Sequence, residues 1–363
     1  MRKLLTLCIL ALTSLAGFAQ TPNFVPGSTL EGVNYYMPRT AFRVVIEADK
    51  TVTKPGELNK YAFRYLRMSD VPEKESTVWT LRKVTIEPYG VPDKNKAYNI
   101  NLSGKGSPLS ILGQKGTAIP PQVSLTRDGI LLGIHTEVEE VALSEVPANQ
   151  PAAPLPDPKK YMSQEMLTAS SIAKLAELCS QEIYDIRESR NALVRGEADN
   201  TPKDGEQLKL MLDELTTQTE ALEQLFKGTV QTSTYVYTLD IDPQTEGEEV
   251  LFRFSKHTGL VDSDDLSGRP VYLNVKSMDS LPQTVEDPNV AKKKAKMEKG
   301  IYYNVPARMA VSIYDDNDTF CEGEYPMGQF GTVEILSEVL FNKGVNTKVT
   351  FFPQTGGIQK IEQ

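Results

Sequence analysis

Histidine and cysteine are scarce in this chain of 363 residues, which holds two of the first, three of the second and a single tryptophan. That scarcity removes whole classes of chemistry. His135 and His257 stand far apart with no histidine four residues on, so no helix carries the paired imidazoles of a zinc protease. A Gly-x-Ser-x-Gly elbow is missing, and no dinucleotide fingerprint follows a strand. Positive charge is short too. The net charge is −9, and the lone basic cluster, Lys292, Lys293, Lys294, Lys296 and Lys299, reads as a solvated loop. An acidic chain without a basic stripe excludes nucleic acid as a partner. Beyond the first residues no run approaches the roughly 20 apolar residues of a membrane helix, so no transmembrane anchor is expected.

What is present begins with an address. Arg2 and Lys3 precede an apolar stretch from Leu4 to Leu15, and Gly17 and Ala19 place small residues at −3 and −1 of a cut before Gln20. Residues 1–19 therefore read as a cleavable signal peptide of an exported protein, periplasmic or at the cell surface or secreted. Cys8 lies inside the apolar stretch and Gln20 follows the cut, so no lipidated cysteine is expected. Cys179 and Cys321 read as two buried free thiols, because a chain with a substantial core needs no disulfide.

Residues 40–145 show the period-two alternation of half-buried strands, at 41–47, 78–86, 97–102 and 122–125. Asp128-Gly129 before Ile130-Leu131-Leu132 is a hairpin-turn signal. Pro147, Pro151, Pro154, Pro156 and Pro158 then predict an extended linker. Two amphipathic helices follow. On the first, over 163–195, Ile172, Leu175, Cys179, Ile183, Ile186 and Leu193 recur at three- and four-residue steps until Gly196. On the second, over 202–227, Leu208, Met211, Leu212, Leu215, Leu222 and Leu225 do the same until Gly228, with Thr201 as cap and Pro202 at the first position. The short loop between them predicts an αα-hairpin docked on the rest of the chain. Strand patterns resume from 229. The expected class is α+β, mainly β: two antiparallel, sandwich-like β-domains connected through a long αα-hairpin. The boundaries are 20–146 for the N-terminal β-domain, 147–160 for the proline-rich linker, 161–228 for the hairpin and 229–363 for the C-terminal β-domain. One faint echo links the two β-rich parts, Gly32-Val33-Asn34-Tyr35-Tyr36-Met37-Pro38 and Gly300-Ile301-Tyr302-Tyr303-Asn304-Val305-Pro306.

The remaining chemistry rests on loops and carboxylates. The glycine-rich loop 104–116 lacks the Gly-Lys-Ser/Thr ending of a phosphate cradle and reads as a flexible loop. Asp262-Ser263-Asp264-Asp265 and Asp315-Asp316-Asn317-Asp318 resemble fragments of calcium loops but lack the EF-hand spacing, and read first as hairpin turns. Glu137, Glu139 and Glu140 are the only other acid–base candidates. Arg187, Glu188, Arg190, Arg195, Glu197 and Asp199 crowd the tip of the expected hairpin, either as ion pairs locking the helices or as a docking patch for a partner. Asp279-Ser280-Leu281 resembles a short O-glycosylation motif.

Arg187-Glu188-Ser189-Arg190-Asn191, then Gly196-Glu197-Ala198-Asp199-Asn200 and Pro202-Lys203-Asp204-Gly205-Glu206, together with Gly32-Val33, Tyr35, Met37-Pro38, Gly300-Ile301-Tyr302-Tyr303 and Gln329-Phe330-Gly331, resemble an exported Gram-negative bacterial family described as domain of unknown function 4831. The resemblance spans nearly the whole mature chain. It implies a cell-envelope or secreted location, no assigned activity and no family catalytic residues. The expected function is a binding or structural module of the envelope, with no catalytic set and no cofactor, whose partner is an envelope protein or a glycan. The alternative is an envelope hydrolase using clustered carboxylates or bound calcium.

Overall fold

Fourteen strands and four α-helices make up the computed structural model, which describes residues 32–100, 122–199, 202, 204–278, 300–341 and 347–363, and the backbone of 111–112 and 118–119. The strands are β1 (Val33–Lys54), β2 (Ser76–Ile100), β3 (Ile111–Leu112), β4 (Ala118–Ile119), β5 (Val123–Leu125), β6 (Leu131–Ile134), β7 (Thr229–Ile241) and β8 (Gly247–Ser255), then β9 (Gly259–Val261), β10 (Arg269–Ser277), β11 (Gly300–Tyr314), β12 (Thr319–Ser337), β13 (Lys348–Phe351) and β14 (Ile358–Glu362). The helices are α1 (Asn59–Leu66), α2 (Gln164–Leu167), α3 (Ile172–Arg195) and α4 (Gly205–Lys227). The fold is mostly β, and all the ladders between strands are antiparallel. Residues 1–19, read above as a signal peptide, the glycine-rich loop 104–110 and 113–116, the lysine cluster, Asp279-Ser280-Leu281 and Thr201, expected as a cap, lie outside the described residues.

Strand pairing does not respect the expected division of the chain. β7, from the expected C-terminal β-domain, pairs with β1 over Phe42–Lys54 to complete the sheet β2-β1-β7. A five-stranded sheet runs β12-β11-β10-β8-β9, and a third, β14-β13-β6-β5, again joins strands from both ends of the chain. The cores follow the sheets. Alternate residues Phe42, Val44 and Ile46 of β1 pack with Val271, Leu273 and Val275 of β10 and Met309, Val311 and Ile313 of β11. A second core gathers Tyr35, Tyr98, Leu131 and Ile134 with Ile301, Leu336, Val349 and Phe351. Among the described residues, strands of the regions 20–146 and 229–363 therefore interleave: β7 covers an edge of β1, and β6 covers an edge of β13.

The echo noted above has a structural counterpart. β1–β2 and β11–β12 are long bent hairpins, and each contains the same bulge. Met37 opposes residues 93–96 in the first, and Pro306 opposes residues 328–331 in the second. Each also receives a short hairpin, β5–β6 or β13–β14, close to its bulge, one residue before Met37 and two before Pro306. The Tyr36 amide donates to Gly129 O at 2.8 Å, and the Asn304 amide donates to Gly356 O at 3.0 Å. Within the two turns, Thr126 N donates to Ile130 O and Phe352 N donates to Gly357 O. Gly129 and Gly356 hold φ of 85° and 72°, the left-handed region that favours glycine. The chain thus carries an internal repeat of a long and a short hairpin, and Gly357 is the counterpart of Ile130.

The proline-rich segment is extended up to Asp157, where Pro158 opens a 3-10 turn, but it is not a free spacer. Gln150 exchanges two backbone hydrogen bonds with Thr234 of β7, and Asn149 and Ser233 side chains add Val236 N and Ala152 N. It thereby covers the outer edge of β7, which would otherwise present unpaired backbone groups. The first expected helix splits into α2 and α3, the latter capped by Ser171 Oγ. Asp204 caps α4 by accepting from Glu206 N. α3 and α4 pack side by side and against α1, where Leu58, Ala62 and Leu66 join Cys179, Ile183, Leu222 and Phe226 in a third core.

Candidate functional site

Pairing of β1 with β7 stops at Phe42, and beyond it side chains make the bonds of the missing strand neighbour. Gln329 acts as a substitute strand neighbour: its Oε1 accepts from Thr40 N at 2.8 Å, and its Nε2 donates to Thr40 O at 2.9 Å. The Thr40 hydroxyl, fully buried, donates to Gln354 O and accepts from Gly328 N. Asn304, 1% exposed, donates from Nδ2 to Pro38 O at 3.1 Å and to Thr355 O at 2.7 Å. Its Oδ1 has no partner among the described residues. Tyr35 completes the junction, its hydroxyl donating to Tyr302 O and accepting from Tyr302 N. Burial raises the Tyr35 hydroxyl pKa, so the phenol stays neutral. This polar knot clamps the first long hairpin, the second long hairpin and the β13–β14 turn together.

Beside the knot lies a cavity of about 380 Å³. Tyr303, Val305, Pro306, Pro326, Phe352 and Ile358 give it an apolar lining. Tyr303 is held neutral by burial and by the nearby Glu334 carboxylate, which both raise its pKa. The volume falls within the size range of small-ligand pockets, and the lining is of the apolar kind with few polar groups. It can bind an apolar group by excluding water; its walls supply no acid–base pair.

The expected candidates lie elsewhere. Glu137, Glu139 and Glu140 are exposed on an irregular stretch, where Glu140 accepts from Arg127 N. Asp265 Oδ1 accepts from Ser267 N, and Asp315 Oδ1 accepts from Asn317 N and Asp318 N, so both aspartate clusters form turns. Asp315 and Asp318 also border a groove of about 270 Å³ beside Trp79 and Arg269. The Trp79 ring there already contacts Tyr235, Lys50 and Gly259. His135 is buried, its Nδ1 3.0 Å from Thr347 O. Cys179 and Cys321 are free, and burial pushes the Cys179 thiol up to about 11.

Residues 31–359 match the family described as domain of unknown function (DUF4831). The chain belongs to that family. No curated protein and no solved structure matches it.

In this DUF4831 chain the charged candidates on α3 divide. Arg187 pairs with Glu223 of α4 at 2.8 Å, and Glu223 also pairs with Lys227. Glu188, Arg190, Arg195, Glu197 and Asp199 are exposed near the tip, with Arg195 and Glu197 3.9 Å apart. Desolvation raises the Glu223 pKa, but the hydrogen bonds from Arg187 and Lys227 prevail and hold it below the ordinary value. A lowered carboxylate contributes stability that is complete above its unfolded pKa and fades as pH falls through the folded one. Glu223→Gln should therefore lose about 1 kcal/mol at neutral pH, allowing for the partial exposure of Arg187. In urea titrations the difference from wild type should close in acid; a pH-independent deficit would contradict it. The junction residues Thr40, Asn304 and Gln329 escaped sequence reasoning because they are isolated polar residues in strand-like runs. The available signals were the repeated tyrosine and proline positions around Asn304 and the motif Gln329-Phe330-Gly331.

Proposed function

We propose that this DUF4831 protein is a binding or structural module of the cell envelope, working after export as a mature chain that begins at Gln20. The basic, apolar and small-residue pattern of residues 1–19 supports export, and an intact mass from native cells that retained Met1 would contradict it. In this reading the interleaved β-units and the helix pair form one scaffold, and the junction cavity is the binding site. The helix tip, with Glu188, Arg190, Arg195, Glu197 and Asp199 outward, offers a second, charged contact surface. Its partner class is an envelope protein or a glycan.

The observation that carries the binding role is the apolar cavity walled by Tyr303, Pro306, Pro326 and Phe352. An environment-sensitive apolar dye should occupy it at one saturable site. Phe352 is 43% exposed, so a carboxylate there can reach water, and Phe352→Glu should weaken the dye by about tenfold, near 1.4 kcal/mol, without unfolding the protein. Equal binding by both proteins would overturn the assignment.

A further inference from the structure

The internal repeat says what kind of group the cavity takes. In the first repeat the position after the left-handed glycine is Ile130, 2% exposed. Its side chain crosses to β2, where its Cδ1 lies 3.3 Å from the point a Cβ on Gly90 would occupy. In the second repeat that position is Gly357, which has no side chain, and the space between it and β12 at Pro326 is the open cavity. The aliphatic lining from Val305 and Ile358 is present, while the filling residue is not. Gly357 itself lines the opening, although a Cβ there would lie 3.3 Å from Pro306 Cδ and from Thr355 Oγ1, so a side chain at that position starts from a tight base.

Resting on the reading of the cavity as a binding site, we propose that its occupant is a branched aliphatic side chain presented by a partner polypeptide. Such a side chain, isoleucine or leucine, stands in for the residue that Ile130 supplies in the first repeat. Three features agree. The lining is apolar, so the inserted group is desolvated without leaving a charge unpaired. The opening is larger than one branched side chain and admits the flanking backbone as well. The rim residue Phe352 is half-exposed and offers a flat apolar contact to that backbone.

The test uses the full mature chain with methyl-labelled isoleucine and valine. The probes are acetyl-Thr-Ile-Thr-amide, acetyl-Thr-Ala-Thr-amide and palmitate. The isoleucine peptide should shift the Ile358 and Val305 methyl signals saturably, in the low-millimolar range, and the alanine peptide should bind at least tenfold more weakly. Gly357→Ile, which fills the space from within, should abolish the shifts. Because the 3.3 Å contacts make that variant tight, Phe352→Glu serves as the second one and should weaken the peptide about tenfold. Saturable binding of palmitate with no response to the isoleucine peptide would overturn this inference and leave the apolar site standing. No response to any probe would overturn both, as would undiminished peptide binding by folded Gly357→Ile.

Discussion

Asn304→Leu should cost the protein about 2–4 kcal/mol, although leucine and asparagine are close in size. The Asn304 amide nitrogen donates to Pro38 O and Thr355 O, one on the first long hairpin and one in the β13–β14 turn. Leucine leaves both buried carbonyls unpaired, at about 1–3 kcal/mol each. It also removes an Oδ1 that lacks a partner among the described residues, and that relief sets the lower end of the range. Urea denaturation of the two proteins gives the difference directly. A change below about 0.5 kcal/mol, the scatter of ordinary surface substitutions, would show that the polar knot does not clamp the repeats.

Phe42→Ala should be the most damaging single truncation in the larger core, at about 3–5 kcal/mol. Phe42 is fully buried on β1, and its ring meets Tyr325 of β12 edge-to-face at 5.2 Å. The alanine cavity would open between the two sheets, bordered by residues more than 200 positions apart in sequence. The loss should therefore be felt in β11 as strongly as in β1.

Much of the local structure was legible in the sequence. Alternation at 41–47 marks the part of β1 that packs inward, and Asp128-Gly129 turns β5 into β6. Part of each helix stripe meets in the third core, Leu175, Cys179, Ile183 and Ile186 of α3 with Leu215, Leu222 and Leu225 of α4, whereas Ile172 and Met211 are exposed. Other elements were hidden for physical reasons. β12 contains Gly323, Pro326, Gly328 and Gly331, residues that usually break strands. It lies at the edge of its sheet, where proline is tolerated, and residues 328–331 sit in the bulge. β2, another edge strand, reads as two strands because Pro88 and Pro92 interrupt its pattern. Helix α1 was missed for its shortness, although Leu58, Ala62 and Leu66 recur every four residues.

The pairing of strands from distant parts of the chain was hidden for a different reason. Local patterns state that a residue belongs to a strand, not which strand it pairs with. The return of β7 to β1 after the helices depends on edges and faces brought together over nearly 200 residues. The candidate site suffered the same limit. Its cavity is defined by a side chain that Gly357 lacks, and only the register of the two short hairpins reveals that Ile130 is the counterpart.

Interleaving of the two repeats is the claim on which the junction, its cavity and the missing side chain all depend. It is tested by urea unfolding of the wild type and Phe42→Ala, followed at two places at once. Fluorescence of Trp79, the only tryptophan, reports on β2, and hydrogen exchange of the β11 amides reports on the second repeat. Interleaved repeats predict one transition, with the same midpoint by both probes and the same shift of both in the variant. Two separated midpoints in the wild type, or a shift confined to the Trp79 signal in Phe42→Ala, would contradict it.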